Sequence, residues 1–530
     1  MPSLSYPQHL LLLLAVVQRS LCADVNVSIP LVAPSTAPVI SPSLVSFSIE
    51  QDRWTDWVGT TSRNQFFFNT LDNLRALTGE PPQIRIGANS EDHTDFSENV
   101  QFSQATFPAI SATVPYPEAS SIIVGDGFYE AAQFLPPNTH VIWGLNLGQN
   151  NVTAAFLEAK SLVKAFASSP IKDSGITLDA IEIGNEADLY SNNGLRSSTY
   201  TSTQYVKEWI QFATNVTAAA QLSLSSSSPK FWGAAFAGSS HSTSGFSPQA
   251  IFSEGILSSA PGALISTISE HRYSGSFCSG SGGLLQDLMT KSTIRSNLTQ
   301  FTPDISATHA KGLDYVLGET NSYSCHGAPG VSNTAGAALW TLDYLLFATQ
   351  IGISRVFFHE GIGFKYNLIQ PLTLTRSTLD GSPLATPLPP HIQPQYYAAI
   401  IAGEAIGSTG NTRAVELSIN NARISGYAFY EEDTLARAIL INSQAFFTTD
   451  KTNRTSTHVD LAISGSGAPT EMTVKRLFVP HADDTTGLTW GGQTYETSDA
   501  RVSGSLQVET ASVSDGVDIQ ETEVVMLSFL

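Results

Sequence analysis

Cysteine, charge and basic clusters are all scarce in this chain. Three cysteines in 530 residues exclude a small disulfide-built fold, and none sits in a Cys-x-x-Cys pair of the kind that holds zinc. The 11 histidines are scattered without ligand spacing, so no metal centre and no cofactor is expected. Only 14% of residues are charged, and 26 Lys and Arg against 46 Asp and Glu leave a formal charge of −20. The densest basic spot is Lys475-Arg476, which excludes a surface that tracks nucleic acid or another polyanion. Gly275–Gly283 is rich in glycine but lacks the Lys-Ser/Thr of a phosphate loop. No apolar run beyond the N-terminus reaches membrane-spanning length uncharged, since Asp343 breaks Gly336 to Ile353.

What is present is enough apolar material, 42% of residues, for a large core and a second, smaller domain. The N-terminus reads as a secretory leader over residues 1–23, with an apolar stretch Leu10 to Val17 and small residues Ser20, Cys22 and Ala23 at a cleavage point. A secreted, extracellular protein is expected, without a membrane partner once the leader is removed. Cleavage leaves Cys278 and Cys325, which in a secreted protein most simply pair, the alternative being two buried thiols. Sequons at Asn26, Asn151, Asn215, Asn297 and Asn453 fit a glycosylated exported chain.

Residues 24–38 read as a strand and a proline-rich link with no helix to follow. From Val45 short apolar strands alternate with helical stretches, the pattern of βα units. Eight strands are predicted, at Val45–Glu50, Gln83–Gly87, Val141–Leu147, Leu178–Gly184, Phe231–Phe236, Ile265–Tyr273, Tyr315–Glu319 and Ser354–His359. They suggest an α/β fold, a (β/α)8 TIM barrel over residues 39–382. The long connections Ala88–His140 and Ser274–Leu313 are expected to lie over its cleft. Residues 383–530, with a helix at Tyr396–Ala405 and then β-rich segments, read as an antiparallel β-sandwich that the N-terminal strand completes.

Two strand ends carry the chemistry. One delivers Gly184-Asn185-Glu186 and the other Gly318-Glu319-Thr320-Asn321. In a (β/α)8 barrel, side chains at the carboxyl ends of strands face the active-site mouth. Two carboxyl groups there are the equipment of a glycoside hydrolase, and a retaining enzyme needs one protonated and one ionised, about 5–5.5 Å apart. Glu186 is therefore the expected acid/base and Glu319 the nucleophile. Asn185 is placed to hold a 2-hydroxyl, unless it only makes an Asx turn. Tyr273 is placed to donate to the nucleophile, unless it is an aromatic lid. His271 reads as a scaffold histidine.

With these residues located, the chain resembles glycoside hydrolase family 79, especially its secreted fungal β-glucuronidases. The likeness runs through Phe47-Ser-Ile-Glu50, Gln83-Ile-Arg-Ile-Gly-Ala-Asn-Ser-Glu-Asp92, Ile183-Gly-Asn-Glu186, Gly318-Glu-Thr-Asn-Ser322 and Lys475-Arg-Leu. It implies a retaining exo-β-glucuronidase that removes terminal β-linked glucuronic acid, with or without a 4-O-methyl group, from glycans. It also implies that Tyr323 and the Gly361–Tyr366 loop, Gly363 and Tyr366 in particular, hold the sugar carboxylate. Lys365 reads first as a surface lysine, and Glu50 as an acceptor for a hydroxyl near the non-reducing end. The rivals are a heparanase-like endo-β-glucuronidase, a β-glycosidase for neutral sugars, and a non-catalytic carbohydrate-binding barrel. The acid balance weighs against the first, because a polyanionic substrate demands a basic cleft.

Overall fold

The computed structural model describes residues 25–530, so the expected leader lies outside the described residues. Eight strands, each parallel to the next, close into a barrel in chain order. They are β1 Val45–Glu50, β2 Ile84–Gly87, β3 His140–Leu145, β4 Thr177–Ile183, β5 Lys230–Phe236, β6 Ile265–Ser276, β7 Asp314–Ser324 and β8 Val356–Glu360. Helices outside and side chains inside bury both faces, so the strands read as continuous apolar runs rather than alternating ones. Ile142, Ala180, Trp232, Val316 and Phe357 pack together as a separate cluster. Trp232 meets Phe357 edge-on at 5.1 Å and fills the barrel beneath the site.

The helices start and stop where local chemistry directs. Helix α1, Gln65–Thr78, begins where Asn64 accepts the Phe67 N–H and ends at left-handed Gly79. After α2, Val152–Phe166, helix α3, Ser202–Ala220, opens with a reciprocal Thr201–Gln204 capping box. Helix α4 spans Thr302–His309, α5 Ala335–Gln350 and α6 Gln395–Ile406. The last two are buried on nearly every face. Such helices need cover on both sides, and here the barrel supplies one side and the C-terminal domain the other.

That packing corrects one boundary. The helix expected at Tyr396–Ala405 as part of the small domain is α6, which packs on α5 and α1 and closes the barrel's helical ring. The proline-dense stretch before it likewise belongs to the loop after β8, as the hairpin of Leu374–Arg376 with Pro383–Leu388. The sandwich proper starts near Arg413. It pairs a seven-stranded antiparallel sheet with a three-stranded one in which the N-terminal strand, Val25–Pro30, runs parallel to Ser456–Ser464. Asp343 of α5 anchors the junction, accepting from Arg295, Ser425 and Tyr427.

Of the five sequon asparagines, Asn26 and Asn453 are exposed. Asn151 caps α2 through Ala154 N–H, and Asn215 is half-buried within α3. Asn297 is half-buried with its amide oxygen held by Arg272.

Candidate active site

One guanidinium ties the site together. Arg85 stands mid-strand in the otherwise apolar β2 and is fully buried. Its Nε donates to Glu182 Oε1 at 2.8 Å, and Nη1 to Ser48 Oγ at 2.8 Å and Glu319 Oε2 at 2.9 Å. Its Nη2 reaches Glu182 again and Asn185 Oδ1 at 2.9 Å. A planar fork with five donors can serve β1, β4 and β7 at once, which a lysine cannot. The Gln83–Asp92 stretch marked the family likeness, yet Arg85 was given no role. The available signal was a lone charge in an apolar strand, which needs a buried partner.

Around this cation the two glutamates face each other. Oxygens of Glu186 and Glu319 and a ring nitrogen of His271 all lie within 4.8 Å of one another. The Tyr273 hydroxyl donates to Glu319 Oε1 at 2.8 Å, and His359 Nδ1 lies 3.9 Å from Glu319 Oε2. Burial pushes the Glu319 carboxyl up, but His359, His271, Arg85 and the Tyr273 phenol outweigh it and bring it to about 2. Glu186 moves the other way: burial first, then the charges of Glu319 and Asp188, hold it well above the usual carboxylate range. Burial also lowers His271 to about 4, so its ring, with Nδ1 3.1 Å from Glu186 Oε1, is neutral above that pH. Arg85 is then a permanent positive charge on Glu319. With that charge in place, the Glu186, His271 and Glu319 trio is better matched to proton chemistry than to holding a metal ion. Glu186 itself is left-handed at φ +49°, with its N–H on the Ala235 carbonyl at 2.7 Å. Such a backbone costs roughly 1–3 kcal/mol in a non-glycine residue and concentrates at reactive groups.

The other expected residues divide. Asn185 accepts from Arg85 and donates its backbone N–H to Asp92 Oδ2 at 3.2 Å, while its Nδ2 makes no hydrogen bond among the described residues. Tyr366 lies with its ring 5.9 Å from Tyr273 and 6.1 Å from His359. Glu50 is not on the rim: it is 2% exposed, accepts from Ser90 N–H at 2.8 Å and Ser90 Oγ, and lies 3.3 Å from His359 Nε2. Tyr323 turns to the loop after β6, its ring packed against Gly275 and its hydroxyl against Gly283. Gly363 offers no free amide, because its N–H goes to Gln370 Oε1 at 3.0 Å. It is a glycine because φ is +75° and a Cβ there would sit 2.1 Å from the Tyr116 ring. Lys365 is no surface residue: it is 1% exposed, its Nζ lies 5.5 Å over the Phe277 ring with no hydrogen bond among the described residues, and burial pushes it down to about 8.

The excursion between β2 and β3 adds residues that strand reasoning missed. Tyr116 bonds to the Arg376 backbone through its hydroxyl, covering Gly363. Glu118 Oε1 is 2.7 Å from His326 Nε2, and that ring stacks on Phe364 at 3.8 Å. They lie in a long loop without periodicity, so no pattern pointed to them. The loops after β6 and β7 are joined by the expected Cys278–Cys325 disulfide, with Cα atoms 5.1 Å apart.

A (β/α)8 barrel presenting two carboxyl groups of unlike proton affinity at the ends of β4 and β7 is the frame of a glycoside hydrolase. The family described as glycosyl hydrolase family 79 C-terminal beta domain matches residues 426–526. A beta-glucuronidase of Aspergillus niger is 30% identical over 502 residues, covering 90% of this chain and 87% of that protein. A beta-glucuronidase of Neurospora crassa is 29% identical over 518 residues, covering 89% and 87%. Among solved structures, a 4-O-α-L-rhamnosyl-β-D-glucuronidase of Fusarium oxysporum superposes with a TM-score of 0.77 at 24% identity, covering 95% of this chain and all of that one. An arabinofuranosidase of Xanthomonas axonopodis shares the fold with a TM-score of 0.61 at 12% identity, over 96% of this chain and 100% of that one. The chain belongs to glycoside hydrolase family 79.

Proposed function

We propose that the protein is a retaining exo-β-glucuronidase that releases terminal β-linked glucuronic acid from glycans outside the cell. The observation that carries the reading is the proximity, within 4.8 Å, of Glu186, whose proton affinity is raised by burial and the Glu319 charge, to Glu319, whose proton affinity is lowered. Glu319 attacks the anomeric carbon while the Glu186 proton passes to the departing glycosidic oxygen, leaving a glycosyl ester on Glu319. Esterification removes the Glu319 charge and with it part of the push on Glu186. Glu186 then takes a proton from water, whose oxygen displaces Glu319 and restores the β configuration. Asn185 Nδ2 is free to hold the 2-hydroxyl, a contact that strengthens in the transition state. The glucuronate carboxylate is assigned to Tyr366, a neutral donor that does not pair permanently with the glutamates. The beta-glucuronidase names of two relatives, each matching about nine-tenths of the chain, support the sugar. The bridge from Tyr116 to Arg376 ties the excursion between β2 and β3 to the loop after β8, an arrangement that suits exo action.

The test is hydrolysis of p-nitrophenyl β-glucuronide beside the β-glucoside and β-xyloside, with the first-formed anomer followed by NMR. Preferred cleavage of the glucuronide with β-product first supports the assignment. Preference for a neutral sugar overturns the substrate, and α-product first overturns the mechanism. Cleavage of a polymer but none of the three substrates points to an endo-acting enzyme.

A further inference from the structure

Behind the catalytic strand lies a second cluster that the glycosidase chemistry does not use. His241 lies in the loop after β5, Glu270 in β6 and Asp304 in α4, and one ligand atom from each lies within 4.8 Å of the other two. Glu270 and Asp304 are fully buried, and the His241 side chain is 19% exposed. Among the described residues, His241 is the one basic group paired with either carboxylate, its Nδ1 lying 2.7 Å from Asp304 Oδ2. The Tyr315 hydroxyl donates to Glu270 Oε2 at 2.5 Å, and Gln249 Nε2 to Asp304 Oδ1 at 3.1 Å. Among the described residues, Glu270 Oε1 and His241 Nε2 are buried with no hydrogen-bond partner. One imidazole serves both side chains, and a buried carboxylate is costly to ionise without a cation beside it.

We propose that His241, Glu270 and Asp304 bind one divalent transition-metal ion, zinc by preference, which pins the loop after β5 to β6 and α4. One imidazole with carboxylate oxygens suits zinc or manganese better than calcium or magnesium, which take oxygen alone. Tetrahedral zinc, with bonds of about 2.0–2.2 Å, sets its ligand atoms about 3.4 Å apart, so binding requires only small shifts in a cluster whose ligand atoms lie within 4.8 Å of one another. The half-exposed His241 loop is the part able to move. The site stands back to back with the acid/base: the register of β6 shifts around Glu270, so Glu270 faces outward while His271 turns to Glu186. The role assigned to the ion is to stiffen that strand, not to take part in the reaction.

The whole protein is stripped with EDTA, desalted, and titrated with zinc chloride, with manganese and calcium in parallel, and bound metal is counted by elemental mass spectrometry. The proposal expects one zinc per chain, tighter than calcium, and a melting temperature that rises with zinc. His241→Ala and Glu270→Gln should each weaken zinc binding at least tenfold. Glu270→Gln removes one buried charge, so in EDTA it should melt no lower than the parent, which separates loss of metal from loss of fold. Should both variants fail to fold, the parent alone decides: zinc must protect His241 from carbethoxylation by diethylpyrocarbonate, read by peptide mapping. No stoichiometric zinc, equal zinc uptake by the variants, or unprotected His241 overturns the proposal.

Discussion

Replacing Arg85 with methionine tests the electrostatic account most directly. The guanidinium lies 2.9 Å from Glu319 Oε2 with no solvent between them. Unit charges about 4 Å apart at an effective dielectric of about 20 interact by about 4 kcal/mol. One pKa unit is about 1.4 kcal/mol, so losing Arg85 raises Glu319 by as much as about 3 units, less what His359 and Tyr273 retain. The acid limb of kcat/KM on p-nitrophenyl β-glucuronide, near pH 2 in the parent, should move to about pH 4–5. Stability should change as well. Glu319, ionised more easily when folded, contributes stability above the ordinary carboxylate pKa that is lost as pH falls towards about 2, and the variant forfeits it. Glu182 is left buried without its cation, at a cost of about 3–5 kcal/mol, whereas Arg85→Met with Glu182→Met removes both charges and should recover much of that loss. Arg85→Lys should keep the acid limb low yet reduce kcat, since one ammonium cannot make five directed bonds. An Arg85→Met enzyme that melts earlier but keeps the parent's acid limb would refute the reasoning, leaving Arg85 as scaffold alone.

Glu186→Ala should lose the basic limb of the pH profile, keep the most activity on substrates with acidic leaving groups, and form a β-glucuronyl azide when azide is added, detectable by NMR. Tyr273→Phe removes a hydrogen bond to a carboxylate, worth about 1.5–3 kcal/mol, and should lower kcat by roughly 10–100-fold with little change in melting temperature. Lys365→Met should stabilise the protein below pH 8, where the buried amine must carry a charge, by up to about 3 kcal/mol. The gain should fade as pH rises from about 8 towards 10, and thermal melts across that range check it. Reducing Cys278–Cys325, which closes a 47-residue span, should cost about 4 kcal/mol on the chain-entropy account, read as a lower melting temperature in dithiothreitol.

Much of the frame was legible because each barrel strand is a short apolar run bounded by turn residues. Val45–Glu50 is bounded as expected, and the other strands differ by a few residues at their ends. Gly184-Asn185-Glu186 and Gly318-Glu319 stand out in the sequence because a glycine with an acid one or two residues on, at a strand end, is a local pattern. Arg85 could not, since its meaning rests on partners 37, 97, 100 and 234 residues away. Tyr323 and Gly363 show a different limit. Their positions near strand ends were sound, but the path of the following loop decides where a hydroxyl or amide points. Lys365 was taken for a surface residue because burial in a loop has no period to reveal it. Helix α6 was given to the wrong domain for the opposite reason: apolar on every face, it gives no direction to its core.

The pairing of Val25–Pro30 with Ser456–Ser464 has a consequence for synthesis. The first described strand to leave the ribosome finds its neighbour about 430 residues later, roughly 20–90 s afterwards at about 5–20 residues per second. Once made, α5 and α6 lack the cover of the sandwich on their outer faces until the strands from Arg413 onward follow. The barrel's helical ring therefore keeps an apolar face uncovered until the sandwich strands are made. A chain stopped short of the sandwich should remain a client of the chaperone machinery, so quality control inspects the whole molecule at once.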